Sequence, residues 1–400
     1  MLQLLDMSAA PTLLVALSVV SLALVALEPR LRLLARLFPS QHAGTANKVS
    51  EKPIKPTTLP DPDPLLDFDL ATAKTRDHLY VNKTLRWPYF QTMAHQPMQI
   101  NNWIEVDSNY EREMAYKARV VRDHPDNTIL SLAENDAGCG ELLQTLVDYL
   151  PKRYPTMFEK LAGDGIRNKV LGEDHPNCDK LTGTDALHVV SRLVQDDFLM
   201  GREREDGHVY FVGGVVAIPG FYDFSAKVGK SMREVHEHVP QFNEKILVSV
   251  ERTLKRFKPE EPFERSSWEI VDDLNSHQHR IATLQGEETL AEDLHPKDYI
   301  FRIDHQTFRK LPKTNAIIFG VHPILRRLET FADLPLIPAL LATVHEQGDE
   351  QLMKYKLNFR YQDKMLPYLK ELTQSQIDRG LIKGDENVAD FRALLEKVKA

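Results

Sequence analysis

The chain opens on an unbroken apolar run. Between Asp6 and Glu28 lie 21 residues without a charge, rich in Leu, Val and Ala. At about 1.5 Å per residue they reach roughly 30 Å, the thickness of one hydrocarbon core. The run predicts a transmembrane helix over 7–27. A cleaved signal peptide would carry a basic flank, and only Asp6 stands here beside the terminal amine. Arg30, Arg32 and Arg36 follow the run against Glu28. The positive-inside rule then predicts a single-pass membrane protein whose C-terminal domain faces the cytosol. Over 28–65 the apolar period disappears, and six prolines from Pro39 to Pro64 alternate with polar residues, as in an extended tether. One folded domain is expected over 66–400.

Within that domain the apolar period switches between 3.6 and 2. Glu141–Leu150 and Gln241–Phe257 read as helices; in the second, Phe242, Ile246, Val250, Leu254 and Phe257 form one stripe. Asp206-Gly207 separates the apolar arms Asp197–Arg204 and His208–Pro219, a hairpin signal. Tyr299–Arg309 and Asn315–Val321, turning at Pro312-Lys313-Thr314, predict a second hairpin. Further helices are expected near Ile337–Glu346, Lys364–Ser375 and Val388–Val398. Hairpins with helices before and after them predict an α+β domain around an antiparallel sheet.

Composition narrows the chemistry. At 42% hydrophobic residues the chain can bury a core, so wholesale disorder is excluded. A formal charge of −8, with no Lys/Arg run, gives no hold on nucleic acid. Cys139 and Cys178 are the only cysteines, too few for a four-thiolate zinc site or a four-cysteine iron–sulfur cluster. Redox chemistry would therefore need another cofactor or a partner's electrons. The common hydrolase and NTPase signatures are absent.

Four places carry candidate chemistry. In His236-Glu237-His238 an extended backbone would put both imidazoles on one face, where they could hold haem iron or a non-haem metal. The competing reading is two solvated loop histidines. Asp196-Asp197 offers paired carboxylates for acid–base work, or a solvent-facing start to the hairpin. In Tyr299–Arg309, Arg302, Asp304 and Gln306 share one face while His305 and Arg309 share the other, and either arginine could fork onto an anion. The stretch Glu134–Gly140 reads as a loop capping a helix, because Leu143 stands where a dinucleotide fingerprint needs its third glycine.

Several segments, in order, resemble the haem-dependent oxidative N-demethylase alpha-subunit family. They are Leu85-Arg86-Trp87-Pro88-Tyr89-Phe90, Asn102-Trp103-Ile104-Glu105-Val106-Asp107, and Val194-Gln195-Asp196-Asp197-Phe198-Leu199-Met200. Val235-His236-Glu237-His238-Val239-Pro240, Ser267-Trp268-Glu269-Ile270 and Asp304–Pro312 complete the set. The resemblance implies a PAS-like antiparallel sheet with flanking helices, binding haem b through a histidine. It implies a monooxygenase acting on a small N-methylated amine, with electrons from separate flavin and iron–sulfur reductase subunits. His236 matches the family's histidine and His238 replaces a proline, which leaves both as iron candidates and keeps a non-haem site open. Arg302, Arg309 and Lys227 are then candidate propionate partners, and Asp196 or Asp197 would hydrogen-bond the amine. Gly213-Gly214 would let a flat ring approach the backbone, or allow a strand bulge. A haem sensor or carrier without catalysis is the alternative such a fold allows.

Overall fold

The structure, a computed structural model, describes residues 59–81, 83–273 and 294–394. The expected transmembrane helix over 7–27 and most of the tether lie outside these residues. Among the described residues no helix is long and apolar enough to cross a membrane. The last tether residues belong to the domain instead. Asp61 meets Lys152 at 2.7 Å, the Asp63 amide donates to Asn101 Oδ1 at 2.8 Å, and the Leu65 amide donates to the Arg153 carbonyl at 2.9 Å. Proline spacing conceals this docking because the segment forms no helix or strand of its own.

Seven antiparallel strands make the main sheet: β1 (Gln96–Pro97), β2 (Ile129–Ser131), β6 (Asp197–Glu203), β7 (Val209–Val215), β8 (Phe263–Val271), β9 (Ile300–Lys310) and β10 (Ile317–Arg327). Their order is β1-β8-β9-β10-β6-β7-β2. Three short strands, β3 (Phe158–Leu161), β4 (Gly165–Asn168) and β5 (Glu173–His175), form a second sheet. Both expected hairpins are present, as β6–β7 and β9–β10. The turn between β9 and β10 is clasped from outside the sheet: the Glu141 carboxylate accepts from the Lys313 and Thr314 amides, each at 2.8 Å.

Helices α1 (Tyr110–Asp123), α2 (Asp136–Arg153) and α3 (Gly183–Val190) cover one face, burying Leu142, Leu146 and Leu187 with Phe198, Val212, Val215 and Ile318. Each such side chain contributes roughly 1.5–3 kcal/mol on burial. Glu134–Gly140 is not a plain loop, since α2 already begins at Asp136. The expected Gln241–Phe257 helix starts as a π-helical turn, Phe242–Ile246, and continues as α5 (Leu247–Arg256), after the short α4 (Met232–Val235). Near the C-terminus α6 (Ile337–Gln347), α7 (Glu350–Tyr355) and α8 (Gln362–Asp378) follow. Leu340 and Leu369, on α6 and α8, share a core with Trp268, Phe301 and Ile303. The expected last helix begins as a 3₁₀ turn, Val388–Asp390.

Gly213 and Gly214 serve the sheet and do not line the cavity described below. Their φ values are +152° and +144°, and a Cβ would stand 2.5 Å from the Leu130 carbonyl oxygen and 2.1 Å from that of Phe198. They let β7 press against both neighbouring strands.

Candidate functional site

The face of the sheet opposite α1–α3 walls a cavity of about 510 Å³. Strand pairing decides what reaches it. On β8 and β9, Phe263 stands opposite Phe308, Arg265 opposite Gln306, Ser267 opposite Asp304, and Glu269 opposite Arg302. Alternation sends this set to the cavity side and sends Glu264, His305 and Thr307 to the other. Leu199, Phe211, Ile317 and Phe319 extend the wall as an apolar half. The facing wall comes from Phe221 and Tyr222, from Lys227, from the 232–254 helices, and from Tyr355 and Lys356.

His236 lines this cavity, and local sequence aims it. Ser231 and Glu234 form a reciprocal capping box that starts α4. His236 closes the helix, with Nδ1 2.9 Å from the Met232 carbonyl, so Nδ1–H is the donor and Nε2 keeps the free lone pair. The ring stacks on Phe242 at 4.1 Å with 11° between planes. Burial lowers its pKa to about 4, and the charges of Lys227 and Arg265 act in the same direction. The imidazole is thus neutral at physiological pH, as a metal ligand must be. His238 does not join it. The segment is a helix end followed by a turn, so residues i and i+2 do not share a face, and His238 is exposed.

Among the cations that line the cavity, Arg86 and Lys356 donate to backbone carbonyls and Lys83 is exposed, whereas Lys227 and Arg265 are half-buried with neither an ion pair nor a side-chain hydrogen bond among the described residues. Lys227 stands 4.8 Å from the centre of the Tyr222 ring, and burial lowers its pKa. Arg265 has a buried Nε with no hydrogen-bond partner, and burial lowers its pKa too. Arg302 is placed otherwise. Its Nε donates to Asp304 Oδ1 and its Nη2 to the Ile218 carbonyl, both at 2.8 Å, with Glu269 at 3.4 Å. It braces two cavity carboxylates and lies outside the lining. Gly220, at φ +74°, makes room for this brace, since a Cβ there would stand 2.5 Å from Glu269 Oε1. Arg309 faces away from the cavity, with its guanidinium 3.9 Å above the Trp103 ring.

The carboxylates also sort differently from expectation. Asp196 and Asp197 are buried outside the cavity lining. Asp197 pairs with Lys117 of α1 at 3.1 Å and accepts from the Ala217 and Ile218 amides at 3.0 and 2.6 Å. Asp196 lies 3.3 Å from His322 Nδ1. The cavity carboxylates are Asp304 and Glu269. Burial pushes Glu269 up to about 7, with Arg302 opposing the shift and Asp304 adding to it.

The Asp196–His322 pair carries a pH prediction. Burial would lower the His322 pKa, but Asp196, helped by Asp107 and Glu113, raises it to about 9. A folded pKa above the unfolded one, about 6.5, stabilises the fold below pH 6.5 and loses that stabilisation as pH rises through 9. The loss amounts to roughly 3 kcal/mol at most, from 1.36 kcal/mol per unit. Urea unfolding at pH 6.5 and 9.5 is expected to show it in the wild type and not in His322→Gln. Equal slopes in both proteins would remove the pair from the account.

Arg265 and Glu269 escape sequence reasoning because β8 is polar on both faces, so its period of 2 carries no hydrophobic alternation. The capping box of His236 was visible as Ser231-Met232-Arg233-Glu234.

The cavity thus brings together a neutral imidazole with one nitrogen tied to the backbone, the half-buried cations Lys227 and Arg265, and an aromatic wall. Over residues 94–366 the chain matches the family described as haem-dependent oxidative N-demethylase, alpha subunit-like, and it belongs to that family. The match spans His236, Arg265, Glu269 and Asp304.

Proposed function

We propose that the chain is the haem-binding component of an oxygenase that removes a methyl group from a small N-methylated amine. The observation that carries this is the His236 geometry: Nδ1–H is held by the Met232 carbonyl, and Nε2 is free in a residue that lines the cavity. A carbonyl partner on the second nitrogen is the usual support of a ligating histidine. Strands β6 to β10 lie in the spatial order β8-β9-β10-β6-β7, which supports the PAS-like reading. With haem b as the group, His236 would hold the iron, and Lys227 and Arg265 would meet the propionates. Electrons would come from a separate reductase, flavin- or iron–sulfur-based.

The bound haem would supply oxygen activation; amine, dioxygen, two electrons and two protons give the demethylated amine, formaldehyde and water. The chain's own residues do the rest. Phe211, Phe308 and Phe319 keep water from one half of the cavity. Asp304 and Glu269, braced by Arg302, bind the amine nitrogen as an ammonium. Glu269, titrating near 7, takes the ammonium proton and frees the nitrogen lone pair.

The test is amine-dependent formaldehyde release by the haem-loaded protein with a chemical reductant. Glu269→Gln and Asp304→Asn are expected to keep the haem spectrum and lose about 10²-fold or more in turnover, the usual size of an acid–base contribution. Unchanged release in both variants would end their assignment. Haem uptake without any release would favour the sensor or carrier reading.

A further inference from the structure

Behind the cavity, on the opposite face of β8 and β9, the sheet buries a second set of donors. His305 and Glu264 project there from the strands, His78 arrives from the short helical turn His78–Val81, and Glu105 from the segment before α1. None of them lines the cavity. One donor atom from each of His78, Glu105 and His305 lies within 4.8 Å of the other two, and all three residues are buried.

The ring nitrogens show how the set is poised. His305 Nε2 stands 2.9 Å from Glu264 Oε2 and 3.4 Å from the Arg76 guanidinium; we assign the proton to Nε2 on the shorter contact, to the carboxylate. That leaves Nδ1 as a bare lone pair, buried, without a hydrogen-bond partner, and 3.7 Å from Glu105 Oε1. His78 Nε2 approaches the same oxygen at 3.1 Å, while its Nδ1 is also buried and unpartnered. A buried lone pair facing an anion is costly, and a cation between them relieves both. A histidine that donates one nitrogen to a carboxylate and turns the other toward a second carboxylate has the form of a metal ligand with its orienting partner.

We propose that His78, Glu105 and His305 form a site for a divalent transition-metal ion, zinc by its preference for two imidazoles and a carboxylate, with Glu264 orienting His305. The two imidazoles are stacked at 4.2 Å with 30° between planes, so ion binding turns one ring out of the stack. Arg76 is the built-in competitor. It lies 2.6 Å from Glu105 and 2.8 Å from Glu264, and its side chain is 26% exposed. Two carboxylates and one guanidinium leave a single negative charge for the ion to meet. Removing the guanidinium raises that attraction, whereas removing a ligand abolishes it.

The experiment is zinc chloride titration of the tag-free, chelator-treated full-length chain, with bound metal counted by mass spectrometry after desalting. One zinc per chain is expected. Binding weakens at least about tenfold in Glu105→Gln and His305→Gln, the scale on which even an outer-shell partner matters. Arg76→Met tightens it about tenfold, a change that misfolding of a ligand variant cannot imitate. His236→Ala leaves it unchanged, which separates this site from the cavity. The proposal is overturned if wild type and Arg76→Met both retain less than about a tenth of an equivalent, or if the zinc is lost with His236→Ala.

Discussion

Replacing His236 with alanine is expected to abolish the Soret band of the proposed haem complex, while His238→Ala is expected to leave it in place. The asymmetry comes from the way α4 starts and ends. Ser231 and Glu234 cap α4, the helix ends at His236, and the Met232 carbonyl fixes the tautomer. His238, two residues on, points to solvent. Losing even an outer-shell partner costs roughly ten- to a hundredfold in metal affinity, and losing the ligand itself costs more. Ser231→Ala is the graded control. Without the cap the helix start loses about 1 kcal/mol, so haem affinity should fall several-fold with the band still present. The measurement is haem titration followed at the Soret band for the four proteins. If His236→Ala binds haem like wild type, the ligand assignment is wrong and the oxygenase reading loses its main support.

The second large effect is on stability. Asp197→Ala leaves Lys117 buried without its counter-ion and strips the Ala217 and Ile218 amides of their acceptor. Breaking one side of a buried ion pair costs roughly 3–5 kcal/mol. The damage also has a path to the cavity. The Ile218 carbonyl accepts from Arg302, and Arg302 holds Asp304. Asp197 therefore acts through other residues and does not touch a ligand. Denaturant unfolding should place Asp197→Ala several kcal/mol below wild type, and the double variant Lys117→Met/Asp197→Ala should recover part of the loss. A single variant of near wild-type stability would contradict the buried pairing.

The fold was legible where one face of an element is apolar and its turn is explicit. Asp206-Gly207 and Pro312-Lys313-Thr314 marked both hairpins, and the α5 stripe was visible in its 3.6-residue spacing. β8 was hidden because Arg265, Ser267 and Glu269 face the cavity while Glu264 and Ser266 face the other side. Polar residues on both faces erase the pattern that identifies a strand. The site was half legible for the same reason. His236 stood out by its chemistry, but pairing it with His238 assumed an extended chain where a capped helix end exists. Arg302, Arg309, Asp196 and Asp197 stand out in the sequence as charged residues on or beside strands of a family that binds haem. Burial and long-range partners then decided their roles, and neither is written in local sequence. The resemblance of ordered segments reached further than periodicity did, since it pointed to the family that the chain's residues 94–366 match.

The clasp of Glu141 on the turn between β9 and β10 has a consequence for how this gene product can change length. Along β9 successive residues serve opposite masters: Asp304 and Gln306 the cavity, His305 the buried histidine–glutamate set. Adding or removing one residue within the strand would exchange the two sets across the sheet. The two amide contacts at Lys313 and Thr314 also prevent the turn from absorbing such a slip, because α2 holds it at a fixed distance. Insertions and deletions in relatives should therefore avoid 300–327.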